Sequence, residues 1–154
     1  MKQKTTALQY TIYLLSRQDY SQYKITQKLE KREHSPEEIA QVLDYCQQHH
    51  YIDDLRYAQV KIRSGLYKGH GWYRIEQGLK QEKIPQETID EALYRYEQEE
   101  GTINWCTLAK EVVQRKYKTP MDSPKEKARR ARFLQSRGFS FEQINSALSL
   151  AILP

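Results

Sequence analysis

The stretch that decides the fold is residues 29–46, LEKREHSPEEIAQVLDYC, because its pattern occurs twice more along the chain. The second copy, LKQEKIPQETIDEALYRY, begins at Leu79, and the third, LQSRGFSFEQINSALSLA, begins at Leu134. Each copy places apolar residues at positions i, i+3, i+4 and i+7, which is the spacing of one face of an α-helix. Three such helices in register, each preceded by a matched leucine, indicate an internal repeat.

The register of the repeat identifies positions that should form equivalent cores. The matched sets are Ile39, Ile89 and Ile144; Val42, Ala92 and Ala147; Leu43, Leu93 and Leu148; and Cys46, Tyr96 and Ala151. Upstream, Ile25 matches Ile75 and Ile12 matches Ile62, whereas the third copy is looser and carries the extra segment KTPMDSP. No β-strand alternation persists, so the sequence predicts an all-α fold of three tandem three-helix repeats at residues 5–52, 53–102 and 103–153.

Two adjacent carboxylates in YIDDLRYA, Asp53 and Asp54, raise the question of a catalytic or metal-binding pair. They fall where the fourth helix should begin, so Asp53 is predicted to be its N-cap and Asp54 to add favourable charge at the positive helix end. A metal or acid–base pair needs side chains that converge in space, and adjacency at a helix start does not provide this. By the same reasoning Ser35 and Ser123 are predicted caps, whereas Pro85 occupies the cap position of the middle copy.

The composition excludes membrane and disordered classes. The chain is 38% hydrophobic and 29% charged, and no apolar run approaches the ~20 residues of a membrane span. Its N-terminus lacks the features of a signal peptide, so we expect a cytoplasmic protein with no membrane partner. Cys46 and Cys106 are isolated and predicted to be buried free thiols. His49 and His50 would point about 100° apart on a helix, so no metal site is predicted.

Motifs of the common enzyme classes are missing from the sequence. There is no G-x-x-x-x-G-K-[ST] phosphate loop, no G-x-S-x-G and no H-E-x-x-H. The glycines of RSGLYKGHGWYR, Gly65, Gly69 and Gly71, follow a helix rather than a strand. We therefore interpret them as bending the chain between helices, and predict neither an enzyme nor a bound cofactor.

The distribution of charge points to a polyanionic or acidic partner. The chain carries a net charge of +5. Residues 56–74 hold five Lys/Arg and no acid, and residues 110–137 hold ten Lys/Arg against three acids, so the remainder is net acidic. In the second segment the helix KEKARRARFLQSRG presents Lys125, Arg129, Arg130 and Arg132, which we predict to be exposed because unpaired cations are costly to bury. The alternative for both segments is a solvated charged surface without a partner.

Several linked motifs resemble one known family. YLLSRQDYS, YIDDLRYA, IRSGLYKGHG and the Arg-Ile pair that follows resemble, in order and spacing, the RecX family of regulators of the RecA recombinase. The resemblance covers nearly the whole chain and is strongest over residues 7–93. Two departures are Gly65, where the family often has a second basic residue, and Trp72 with Tyr73, which replace a less aromatic stretch.

The resemblance implies an elongated, curved body of helical repeats that acts as a monomer and is not an enzyme. It implies binding to RecA and to the groove of the RecA–DNA filament, with inhibition of ATPase, strand exchange and coprotease activity through limited filament growth or stability. It transfers basic character to Arg56, Arg63, Lys68 and Arg74. Weak direct binding to single- or double-stranded DNA is also expected. The alternative function is a helical DNA-binding protein that acts independently of RecA.

Overall fold

The structure is a computed structural model that describes residues 5–152, with side chains described as far as Ser149. These residues form nine helices and no strand, in the order α1 (Ala7–Arg17), α2 (Gln22–Lys31), α3 (Pro36–Gln48), α4 (Asp54–Tyr67), α5 (Trp72–Gln81), α6 (Gln86–Glu100), α7 (Trp105–Lys116), α8 (Pro124–Ser136) and α9 (Phe141–Ile152). Successive groups of three helices are called unit 1, unit 2 and unit 3. The predicted all-α fold of three tandem three-helix repeats is confirmed.

Each unit has its own hydrophobic core, and the repeated positions lie at the centre of it. Leu29, Leu79 and Leu134 are at most 1% exposed and belong to three separate clusters of buried side chains. The matched isoleucines of α3, α6 and α9 are also buried in the three clusters. The boundaries 5–52, 53–102 and 103–153 stay a prediction, and residue 153 lies outside the described residues.

One predicted equivalence, that of Ile12 with Ile62, is wrong. Ile62 is fully buried, whereas Ile12 is 41% exposed and Thr11 is buried in its place. The buried face of α1 is Ala7, Thr11 and Leu14, one residue out of step with the corresponding face of α4. Because one residue is about 100° of helical rotation, α1 turns a different side toward its core. The Thr11 hydroxyl is satisfied there by donating to the Ala7 carbonyl at 2.8 Å.

The tandem arrangement leaves a large surface for the mass. The protein exposes 10551 Å² at 18.4 kDa. A compact monomer of that mass exposes about 8,200 Å². The excess is what separate cores in a row produce, and it agrees with the elongated body that the family resemblance implies.

The two carboxylates of YIDDLRYA both lie at the start of α4, and one of them also contacts a helix of unit 1. Asp53 is the N-cap of α4 as predicted, and its Oδ1 accepts from the backbone N–H of Leu55 and Arg56 at 3.0 and 3.1 Å. Asp54 is the first residue of α4 and the acidic residue of its first turn, as predicted. Its Oδ1 also accepts from the N–H of Gln22, the first residue of α2, at 2.9 Å, so Asp54 links the start of a helix of unit 2 to the start of a helix of unit 1.

A buried polar contact completes this junction between units 1 and 2. Glu82, after the end of α5, accepts from the Ser21 hydroxyl at 2.9 Å and from the Tyr57 hydroxyl. Burial raises the pKa of Tyr57 above its ordinary range, and the hydrogen bond to the Glu82 carboxylate raises it further. Burial also raises the pKa of Asp54. The hydrogen bonds of Asp53, Asp54 and Glu82 give each of these carboxylates a structural role.

Asp53→Ala should lower the free energy of unfolding by about 1 kcal/mol, because two backbone N–H groups of α4 lose their acceptor. Urea denaturation of the variant and the parent measures the difference. Activity per folded molecule should be retained. A stable, folded variant without activity would show that the carboxylate contacts a partner.

Candidate polyanion-binding site

The loop between α4 and α5 is the place where unit 3 contacts unit 2. The N–H of Gly71 donates to the Arg137 carbonyl at 2.7 Å, and the N–H of Tyr73 donates to the Gly138 carbonyl at 3.1 Å. Gly71 is the N-cap of α5 and supplies no side-chain hydrogen bond. The C-terminal end of α8 therefore satisfies amide groups at the start of α5, and the two helices meet end to end.

The glycines of this loop leave too little space for a Cβ atom. A Cβ on Gly71 would lie 2.5 Å from the Gly138 carbonyl carbon and oxygen. Gly138 has a φ of +97° and faces the backbone of Arg74 at similarly short range. A Cβ on Gly69 would lie 2.8 Å from Cγ2 of Val112 in α7. Gly69 and Gly71 lie between α4 and α5, as interpreted, and the Gly71 amide bonds to a carbonyl of unit 3. The interpretation is wrong for Gly65, which is buried inside α4, where a Cβ would lie 2.6 Å from Cγ1 of Ile75.

A cationic cleft opens beside this contact, between α4 and α5. Its lining includes Lys61, Lys68 and Arg74, which are exposed, and His70, which is half-buried. Burial lowers the pKa of His70, and the charges of Arg74, Arg137 and Lys68 lower it further. Three cationic side chains therefore act on this histidine, and one of them, Arg137, reaches it from unit 3.

The cleft has little negative charge of its own. Within residues 5–152, neither Lys68 nor Arg74 forms a salt bridge. The one carboxylate among the lining residues is Glu82, and its two oxygens accept hydroxyl groups from Ser21 and Tyr57. Exposed cations of one sign repel one another, so the arrangement favours an anionic partner.

Two of the predicted basic residues lie outside the cleft and bond to the protein itself. Arg56 is half-exposed and donates to the Asp19 carboxylate and to the carbonyls of His50 and Tyr51, at 3.1 to 3.3 Å. Arg63 is exposed and lies 2.8 Å from Oε1 of Glu100. Arg56 therefore holds α4 against unit 1, and the charge of Arg63 is partly neutralised.

The α8 cluster is divided by the structure. Lys125, Arg129 and Arg132 are exposed as predicted. The prediction that Arg130 is exposed is wrong, because it is only 6% exposed. Its Nε donates to Glu126 at 3.1 Å, another nitrogen donates to the Thr119 carbonyl at 2.9 Å, and the guanidinium lies over the Tyr117 ring. Arg130 thus fixes the KTPMDSP segment to α8 and is withdrawn from the candidate surface.

Two lining residues of the cleft, Lys61 and His70, were missed as individual site candidates, and so was Arg137, whose charge acts on His70 from unit 3. Lys61 and His70 lie within the basic segment 56–74, so the charge of that segment was a signal that could have found them. Arg137 could not be found in this way, because only the docking of unit 3 brings it to residues that lie much earlier in the chain.

Each of the three units matches a model of a known protein domain. Models of the first, second and third three-helix domains of RecX match residues 7–46, 53–93 and 106–148. These matches cover most of the chain. The chain belongs to the RecX family.

Proteins of the family from several bacteria are similar over nearly the full length. "Regulatory protein RecX" of Vibrio campbellii is 42% identical over 139 residues, covering 90% of this chain and 86% of that protein. The protein of the same description from Chromohalobacter salexigens is 36% identical and covers 97% and 95%. Among solved structures, RecX from Lactobacillus salivarius matches with a TM-score of 0.73 at 20% identity, over 94% of both chains. Another RecX crystal structure matches with a TM-score of 0.77 at 24% identity, over 93% of this chain and 71% of that one, and both support the fold.

Among the described residues of this RecX family member, no group of three or more His, Cys, Asp or Glu side chains is placed to hold a metal ion. Cys46 is a buried free thiol, as predicted, and burial raises its pKa. Cys106 is also free but only half-buried, so the prediction of burial is wrong for it. No helix among those described has the length and apolar character needed to cross a membrane. The cationic cleft is the candidate functional site because of its exposed, unpaired positive charge.

Proposed function

We propose that the protein binds RecA and lodges in the groove of the RecA–DNA filament, where it inhibits ATPase, strand exchange and coprotease activity. Its place would be in the cytoplasm, in recombination, DNA repair and the SOS response. It acts as a monomer and performs no catalysis. The observation that carries the proposal is the cationic cleft of unit 2, beside its contact with unit 3, in a chain that belongs to the RecX family.

The shape and charge of the molecule suit such a partner. Three units in a row can contact more than one protomer of a helical filament, so affinity would depend on the filament being assembled. Lys68 and Arg74 would steer the encounter with an anionic groove. Exposed Lys125, Arg129 and Arg132 of α8, and the weaker candidates Arg56 and Arg63, would extend the contact. Occupying the groove limits filament growth or stability by favouring one protomer arrangement.

The direct test is RecA ATPase on single-stranded DNA with and without this protein. Inhibition is expected at ratios well below one molecule per RecA, because one blocked end or groove affects many protomers. Unchanged ATPase and strand exchange at equimolar protein would reject the proposal. Binding to RecA-free duplex DNA as tight as binding to filaments would instead favour a DNA-binding protein that acts independently of RecA.

Charge reversal in the cleft should weaken filament binding. Lys68→Glu combined with Arg74→Glu is expected to reduce affinity at least about tenfold with little effect on stability, since both side chains are exposed. If the two side chains touch phosphate, the log–log slope of affinity against salt should also become shallower, by about 0.7 for each phosphate that is no longer neutralised on a single strand. Fluorescence anisotropy of filaments on labelled DNA measures both quantities.

The matched control is Lys24→Glu with Lys31→Glu, which makes the same change of charge on two residues of α2. This control should bind nearly as well as the parent. Equal reductions in affinity for the two double variants would mean that net charge alone governs binding and that the cleft has no special role.

A further inference from the structure

An aromatic groove adjoins the cationic cleft at the start of α5. It is lined by the rings of Trp72, Tyr73, Trp105 and Phe141, together with the polar residues Ser140, Glu142 and Gln143. The two tryptophan rings are half-buried with centroids 6.1 Å apart, whereas Tyr73 is 61% exposed and Phe141 is 77% exposed. The half-buried tryptophan rings are held in place, and the Tyr73 and Phe141 rings are exposed to solvent. Together they form a surface on which another flat group could stack.

The backbone of this groove is fixed by the junction of units 2 and 3. The Tyr73 N–H is bonded to the Gly138 carbonyl, and Ser140 and Gln143 bond reciprocally at the start of α9, at 2.9 and 3.2 Å. Arg74, the next residue after Tyr73, lines the cationic cleft. Aromatic and cationic surfaces therefore meet at two consecutive residues of one helix.

We propose that this groove stacks unpaired bases of a single-stranded nucleic acid whose phosphates lie along Lys68, His70 and Arg74. Stacking platforms beside a positive groove are how proteins hold single strands without reading sequence. A duplex hides the faces of its bases, and an acidic peptide supplies charge without flat rings. The inference deepens the proposed function and rests on it, because it assigns the DNA of the filament a contact on this chain.

Glu142 sets the direction of the strand. It is exposed and is the carboxylate among the residues that line the groove. Its charge repels phosphate, so the sugar–phosphate backbone should lie on the Arg74 side with the bases directed toward Phe141. Glu142→Gln should therefore tighten binding of a single strand, by about twofold to fivefold.

The protein carries its own reporter for the groove, because its two tryptophans are both in the lining. The experiment titrates the protein alone, without RecA, and follows tryptophan fluorescence. Oligothymidylate should quench the signal, whereas a blunt duplex of equal length, heparin and polyglutamate should quench it far less. Equal quenching by heparin or polyglutamate would overturn base stacking and favour a site for charge alone or for an acidic peptide.

Tyr73→Leu and Phe141→Leu test the stacking itself, since both rings are exposed and their removal leaves the cores intact. Each should weaken binding of oligothymidylate about 5- to 50-fold with an unchanged melting temperature. The control is Tyr94→Leu, which removes a ring that is 60% exposed on α6 outside the groove and should bind as the parent does. Unchanged affinity in both groove variants would reject the inference.

The two proposals fail separately in these experiments. A protein that inhibits RecA but shows no quenching by oligothymidylate keeps the proposed function and loses the stacking groove. A protein that is quenched by oligothymidylate and leaves RecA unaffected loses the proposed function and keeps the groove.

Discussion

Gly71→Ala should lower the free energy of unfolding by about 3–5 kcal/mol. The added Cβ would meet the Gly138 carbonyl group at 2.5 Å and the Phe139 nitrogen at 2.7 Å. These are backbone atoms, so no side chain can turn aside to make room. Relief of the clash would separate the two chain segments and break the hydrogen bonds from Gly71 and Tyr73 to unit 3. Urea denaturation followed by tryptophan fluorescence measures the destabilisation, because Trp105 packs against the cores of both units 2 and 3.

The chain offers a matched control in Gly78→Ala. Gly78 lies inside α5, and a Cβ there would have no other atom within 4 Å. Alanine should therefore stabilise the protein by about 1 kcal/mol through helix propensity. Gly138→Ala should be destabilising like Gly71→Ala, and the double variant should be destabilised by less than the sum of the two single effects, since both break one junction. An unchanged urea midpoint for Gly71→Ala would show that units 2 and 3 are not joined in this way.

The second large effect is expected at Arg130. Arg130→Glu should cost about 3–5 kcal/mol, because it places a second carboxylate beside Glu126 in a buried site and leaves the Thr119 carbonyl without its donor. Arg132→Glu, on the same helix but exposed, should change stability by no more than about 0.5 kcal/mol. Thermal melts of the two variants measure the contrast. Equal melting temperatures would mean that Arg130 is solvated after all.

The repeat and its cores could be predicted from sequence because helical periodicity is a local property. Leu29, Leu79 and Leu134 stand at the same place in each copy, and all three are buried. Ile12 was placed in the wrong environment because register along a helix does not specify how the helix is rotated on its neighbours. The buried faces of α1 and α4 are offset by one residue, and this offset is decided by how each helix packs on its neighbours.

The site was predictable as a segment and not as a set of contacts. The charge of residues 56–74 indicated the cleft region, and Lys68 and Arg74 do line it. Arg130 was misjudged, and the extra contact of Asp54 was not predicted, because their partners Thr119 and Gln22 are backbone groups in other segments that no pattern of side chains identifies. Arg137 needed the docking of unit 3. Such long-range backbone contacts are the part of a fold that periodicity does not encode.

The contact between Gly71 and Gly138 determines the order in which parts of the protein can fold during synthesis. The core of unit 2 is complete once residues 55–105 have left the ribosome, but the start of α5 gains its carbonyl partners, and the cleft gains Arg137, only after residue 138 emerges. At translation rates of about 5–20 residues per second, that interval lasts roughly 2 to 7 seconds. During this interval the nascent chain would have units 1 and 2 folded but the cleft without its neighbouring residues from unit 3. The protein would therefore become able to bind only when the C-terminal third packs against the middle of the chain.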